Sequence, residues 1–153
     1  MATTIHTQKL LDNANRALIK YVITSDGSQL TNAMLVDVSM LQYALTANNL
    51  TVNTSSNADI KTSYSTSIKR VFGAIASTSG YVKLIWDGAN NDSDIAALAG
   101  TFDFNFESMG GIIRNPQSSS NGDILMTTKG LSANDSATLF IDIRKSSNDF
   151  RRV

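Results

Sequence analysis

The sequence contains no cysteine, one proline, one histidine and no apolar stretch long enough to cross a bilayer. Without cysteine the chain forms no disulfide, carries no thiolate nucleophile and holds no zinc through cysteine. With a single histidine, one chain cannot assemble a zinc or iron site from several imidazoles. The fold is therefore held together by packing, and thiol chemistry and metal sites built on several histidines are excluded.

Charged residues are also scarce, at 17% of 153 residues against about a quarter in an average domain. The formal net charge is zero, but segments 1–83, 84–143 and 144–153 carry net charges of +3, −6 and +3. We expect these charges to form a solvated mixed surface. The first seven residues lack the basic start and apolar run of a signal peptide, so we expect the polypeptide to be made and kept in a cytoplasm, or assembled there into something larger.

The clearest pattern that is present lies in segment 136–145, where apolar and polar residues alternate. In a β-strand, a period of two assigns to the core face Leu139, Ile141 and Ile143. The opposite face then receives Thr138, Phe140, Asp142 and Arg144. This segment is predicted to be a strand with one buried face.

Similar runs end at turn residues along most of the chain. Further strands are predicted at 16–24, 33–38, 50–52, 68–76, 81–86, 101–107 and 123–128. We interpret the first two as a strand pair, and segments 68–76 and 81–86 as the clearest hairpin. In segment 101–107 the three phenylalanines are predicted to point inward.

About seven to nine strands at roughly 8–12-residue spacing are typical of an antiparallel β-sandwich or a jelly-roll-like fold. We therefore predict an all-β protein. Its organisation is predicted as an N-terminal arm or short helix at 1–15, a β-sandwich domain at 16–146 and a C-terminal tail at 147–153.

Few residues are candidates for catalysis or metal binding, and we predict no catalytic, cofactor-binding or metal site. His6 has no partner at a metal-type spacing. Asp103 and Glu107 share the polar face of a predicted strand, but alternating surface charge explains them. The polar loop Asp87–Asp94 is rich in oxygen ligands and leaves weak calcium binding open, although its spacing does not match an EF-hand loop.

Two aromatic patterns allow binding functions to be considered. Segment 69–72 (Lys-Arg-Val-Phe) with Tyr81 and Lys83 is a thin version of a nucleic-acid surface, and an isoelectric point near 6.5 argues against it. A carbohydrate-stacking platform would use the aromatic residues Tyr64, Tyr81 and Trp86.

Three parts of the chain resemble small structural proteins of tailed bacteriophages, particularly of marine and cyanobacterial phages. They are Arg16–Thr24 followed by Asp26-Gly27, the segment Leu84–Asp87, and 122–130 leading into 135–145. The last is the most specific, with a Gly-Asp-Ile-Leu strand, a loop ending in Asp-Ser and an alternating strand closing with Arg-Lys.

The resemblance implies a non-enzymatic virion structural protein, and it favours a decoration or cement protein on the outer face of the major capsid lattice. It implies binding to the major capsid protein or other virion proteins, a homo-oligomer, and assembly in a host cytoplasm. No cofactor, nucleic acid or membrane is expected. Residues 2–15 and 150–153 are candidate docking segments. A neck, tail or fibre-base protein and a carbohydrate-binding module stay open as alternatives.

Overall fold

The computed structural model describes residues 2–54, 61, 64–88, 92–113 and 120–151. These residues form ten strands, two single-turn 3-10 helices at 38–40 and 107–109, and no α-helix. The strands are β1 (Thr4–Asp12), β2 (Arg16–Asp26), β3 (Ala33–Val36), β4 (Thr66–Ala76), β5 (Tyr81–Gly88), β6 (Ser93–Leu98), β7 (Thr101–Asn105), β8 (Ile112–Ile113), β9 (Ser120–Lys129) and β10 (Ala133–Lys145). The all-β prediction is confirmed, and β8 is a two-residue addition to nine longer strands. None of the helical turns in the described ranges has the length and apolar character of a membrane span.

The strands form two antiparallel sheets that enclose one core. Sheet A has the order β1-β2-β10-β4-β7, with β8 also paired to β4, and sheet B has the order β3-β9-β5-β6. Their inward side chains form a single buried cluster, to which sheet B contributes Trp86 at 2% exposure. The predicted inner face of β10 is confirmed, because Leu139, Ile141 and Ile143 are fully buried.

Both predicted strand pairings are wrong. β2 and β4 belong to sheet A, whereas β3 and β5, which follow them in the chain, belong to sheet B. The turn at 77–80 therefore crosses from one sheet to the other. It packs on the equivalent crossing between β9 and β10, so closely that a Cβ on Gly80 would lie 2.4 Å from Leu131. Alternation identifies a strand with one buried face, but it does not identify the neighbouring strand.

The described residues of the two predicted terminal segments, 2–15 and 147–151, are part of the folded unit. Segment 4–12, predicted as an arm or a short helix, is β1, an edge strand paired with β2. In the predicted tail, Phe150 is fully buried and bridges Ala44, and the Arg151 amide donates to the Tyr43 carbonyl at 2.8 Å.

Three other local predictions differ from the structure. The predicted strand 50–52 is reduced to one isolated bridge between Val52 and Leu45. Segment 93–98, whose first two residues belong to the predicted polar loop Asp87–Asp94, is strand β6. Strand β7 ends at Asn105, because the Asn105 side chain accepts the Glu107 amide and starts a 3-10 turn.

Of the three phenylalanines predicted to point inward, only Phe102 is fully in the core. Phe104 is 39% exposed, and Phe106 is half-buried against the core. Their ring centroids follow one another at 6.2 Å along the edge of sheet A. β7 is an edge strand of sheet A, and the core covers Phe102 but only partly covers Phe104 and Phe106.

Candidate functional site

The outer face of sheet A carries a contiguous group of aromatic and charged side chains. One row across four strands places Lys20, Phe140, Phe72 and Asp103 side by side. The rings of Phe72 and Phe140 stack with centroids 4.8 Å apart and planes 4° apart. The guanidinium carbon of Arg70 lies 4.4 Å from the Phe72 centroid, within cation–π range.

Two bidentate ion pairs hold the side chains of this face in position. Arg70 donates to Asp103 at 2.8 and 2.6 Å, and Arg16 donates to Asp142 at 3.0 and 2.9 Å. The hydrogen bonds from Arg70 lower the pKa of Asp103, and those to Asp103 raise the pKa of Arg70. Because a guanidinium and a carboxylate match in shape, each pair fixes an orientation as well as a charge.

A groove of about 910 Å³ lies at one end of this face. The charged side chains that line it are Arg16, Lys69, Arg70, Glu107, Asp142 and Arg144. Cations thus outnumber carboxylates four to two. We call this feature the sheet A groove.

A β-bulge in β4 builds one wall of the groove. Ile68 and Val71 are both fully buried although they are three residues apart, and the pairing with β10 shifts register between Asp142 and Ile143. The extra residue brings consecutive cations, Lys69 and Arg70, to the groove. The signal for this bulge is visible in the sequence as two charged residues between two apolar ones.

The bulge is held by the turn that follows β7. The Lys69 carbonyl accepts the Phe106 amide at 2.8 Å, and the Lys69 ammonium donates to the Gly110 carbonyl at 2.8 Å. Gly110 has a positive φ of 80°, which closes the turn. Lys69 is therefore held in place by a neutral acceptor rather than by a carboxylate.

Two arginines face each other across neighbouring strands of the groove. Arg16 on β2 is the direct cross-strand partner of Arg144 on β10. Like charges at opposed positions are destabilising. Arg16 is paired with Asp142, whereas exposed Arg144 forms no ion pair with any residue in the described ranges.

The acidic residues considered from the sequence do not converge. Asp103 is paired with Arg70, and Glu107 lies beyond the end of β7, so the expected shared strand face does not exist. His6 is exposed on the edge strand β1. Across the parts of the chain described, no three His, Asp or Glu side chains lie close enough to hold a metal ion.

The acidic loop Asp87–Asp94 is described except at 89–91. Asp87 accepts the Asn121 side-chain amide at 3.2 Å, and Asp92 accepts the Gly88 amide at 3.0 Å. Asp94 lies on β6 and pairs with Lys83 at 3.2 Å. These carboxylates are each bound by protein donors.

The two aromatic patterns considered from the sequence do not form surfaces. Trp86 and Tyr64 are 2% and 1% exposed, so they cannot form a stacking platform with half-exposed Tyr81. The Tyr64 hydroxyl instead donates to the Leu45 carbonyl at 2.6 Å. Tyr81 and Lys83 lie on sheet B, away from segment 69–72 on sheet A, so the thin nucleic-acid pattern is divided between the sheets.

Outside the sheet A groove, the carboxylate of Asp123 is buried. Asp123 on β9 is 9% exposed and accepts the Val38 amide at 2.9 Å, capping the start of a 3-10 turn. Burial, with the negative charges of Asp37 and Asp87 nearby, raises the pKa of Asp123 to about 6.

Comparison with known proteins identifies no family and no relative for this chain. No protein-family model, no curated protein and no solved structure matches this chain. The fold and the groove define the class: a two-sheet antiparallel β-sandwich whose polar groove lies on the outer face of one sheet.

Proposed function

We propose that this chain is a non-enzymatic structural protein of a tailed-phage virion, a decoration or cement protein that binds the outer face of the major capsid lattice. The assignment to binding is supported by the outer face of sheet A. Its aromatic stack and its two bidentate ion pairs are fixed before any partner arrives. A preset surface loses little conformational entropy on docking.

The assignment to a virion rests on the sequence resemblance, whose three parts lie on interior strands of both sheets. They fall on β2, β10, β9 and β5. β2 and β10 are neighbours within sheet A, and β9 and β5 are neighbours within sheet B. The resemblance therefore concerns the central strands of the sandwich, which is the part that sets the fold.

The edge strand β1 offers a second type of contact. It is nine residues long, and both of its faces are largely exposed. Leu10 and Leu11 are 46% and 36% exposed, and a register shift between Lys9 and Leu11 interrupts the pairing with β2. An edge of this length suits strand addition by a neighbouring protein in a lattice.

The proposal is tested by adding purified protein to assembled capsids that lack it and to free coat subunits. We expect saturable co-sedimentation with capsids and none with free subunits, because a lattice presents many weak sites together. Equal binding to free subunits, or no binding to capsids, would contradict the proposal.

Copy number separates this position from the neck, the tail or a fibre base. Quantitative mass spectrometry of purified virions should give a copy number comparable with that of the major capsid protein. A count of only a few copies per particle would move the protein to one of the other positions.

A further inference from the structure

We propose that the sheet A groove binds an acidic peptide segment of the partner protein. This inference rests on the proposed function, since it identifies the chemistry by which the outer face of sheet A would dock. The groove, about 910 Å³ in volume, is large enough for several residues of an extended chain.

The charges of the groove favour a carboxylate-bearing ligand. Arg16 and Arg144 are opposed across β2 and β10, and one carboxylate, Asp142, neutralises only one of them. A carboxylate placed beside Arg144 would relieve this repulsion and gain charge-assisted hydrogen bonds. Lys69, whose ammonium donates to a backbone carbonyl, adds a second cation that has no ion pair with any of the residues the structure describes.

The bulge in β4 places two of the cations, Lys69 and Arg70, at the groove. Without the bulge in β4, strict alternation from buried Val71 would leave one of Lys69 and Arg70 on the core face. The register shift opposite Asp142 and Ile143 instead puts both at the groove. Bulges that redirect side chains in this way occur preferentially next to functional sites.

The groove suits an acidic peptide better than a nucleic acid. Asp142 and Glu107 line it among the cations, and a phosphate backbone, with a charge at every nucleotide, would meet these carboxylates, whereas a peptide can space its own carboxylates to reach the cations alone. Arg70 links the groove to the stacked rings of Phe72 and Phe140. Apolar side chains between the carboxylates of a peptide can pack against that stack.

The test measures binding of a fluorescent octapeptide of alternating Glu and Ser by anisotropy at low salt. Arg144→Glu should weaken binding by at least about tenfold, and Arg144→Gln by less, because the first reverses the charge and the second only removes it. The matched control is Lys129→Glu, the same charge change at an exposed residue of sheet B, which should alter affinity by less than about twofold. Thermal unfolding of each variant verifies that the fold is retained.

Unchanged peptide affinity in Arg144→Glu would overturn the inference, and so would tighter binding of an oligothymidylate of equal charge. The same variants are also added to assembled capsids. If the wild type binds capsids and Arg144→Glu binds equally well, the groove is not the docking site, although the proposed function stands. If the wild type binds the peptide in an Arg144-dependent way but not capsids, the groove chemistry stands and the proposed function fails.

Discussion

At the scale of single residues, Asp123 shows how burial and charge act against each other. Its carboxylate stabilises the turn at Val38 by accepting an amide, but it does so in a buried position near Asp37 and Asp87. The pKa of Asp123, raised from 3.8 to about 6, means that the folded state holds a proton more tightly than the unfolded state. This residue therefore stabilises the fold less as the pH rises from about 4 through 6.

Replacing Asp123 with asparagine removes the charge and keeps the oxygen that accepts the Val38 amide. We expect Asp123→Asn to raise the free energy of unfolding by about 1–2 kcal/mol near pH 7.5, and by less near pH 4.5, where the wild-type carboxyl is protonated. Urea denaturation at the two pH values measures both differences.

A matched control is Asp94→Asn, which makes the same change at a side chain that is 67% exposed and paired with Lys83. It should give no gain in stability at either pH. A loss of stability in Asp123→Asn near pH 7.5 would show that the cap depends on the negative charge, contrary to this account.

At the scale of elements, Lys145 connects parts of the chain whose proximity the alternation of apolar and polar residues does not predict. Its side chain is fully buried at the end of β10, and its ammonium donates to the carboxylate of Asp12 and to the carbonyls of Asn13 and Gln42. It also lies 5.2 Å from the ring centroid of Phe150. One side chain thus joins the β1–β2 turn, the segment after β3 and the C-terminal residues.

Removing this buried cation should be costly. Lys145→Met leaves the carboxylate of Asp12, which is 6% exposed, without its closest partner, and should lower the free energy of unfolding by about 3–5 kcal/mol. Adding Asp12→Asn should recover part of that loss, because the unpaired charge is gone. Chemical denaturation of the two single variants and the double variant measures the coupling.

Lys9 provides the control, since its ammonium contacts the same carboxylate at 3.5 Å from an exposed position. Lys9→Met should cost less than about 1 kcal/mol. If Lys145→Met were no more destabilising than Lys9→Met, the buried network would not hold these elements together.

The strands were more predictable than their pairing. Period-two alternation located β2, β4, β5 and β10 and the buried face of β10, because one-sided burial is a local property of the sequence. It did not show that β4 and β5 lie in different sheets, since a crossing turn and a hairpin turn use similar residues. Nor did it place Lys145, which follows the inward parity of Ile143 but bonds to Asp12, 133 residues away.

The candidate groove could be predicted only in part. Two charged residues between buried Ile68 and Val71 are a local sign of a bulge, and the outward positions of Asp142 and Arg144 follow from alternation. The groove itself depends on β2, β10 and β4 lying side by side in that order. That order joins residues far apart in the sequence, so no local pattern specifies it.

At the scale of the whole molecule, the inner faces of the two sheets differ in character from the outer face of sheet A. The inner faces of sheets A and B form one apolar cluster that specifies the fold. The outer face of sheet A carries the fixed ion pairs, the aromatic stack and the groove. In a repeated lattice, modest contacts of this kind become strong when many copies bind together.

The most direct test of the central claim is an electron cryomicroscopy reconstruction of the virion with and without this chain. The account predicts that density shaped as a two-sheet sandwich lies on the outer capsid surface and is lost when the chain is removed, with the outer face of sheet A turned toward the coat protein. A capsid surface that is identical in the two reconstructions would contradict it.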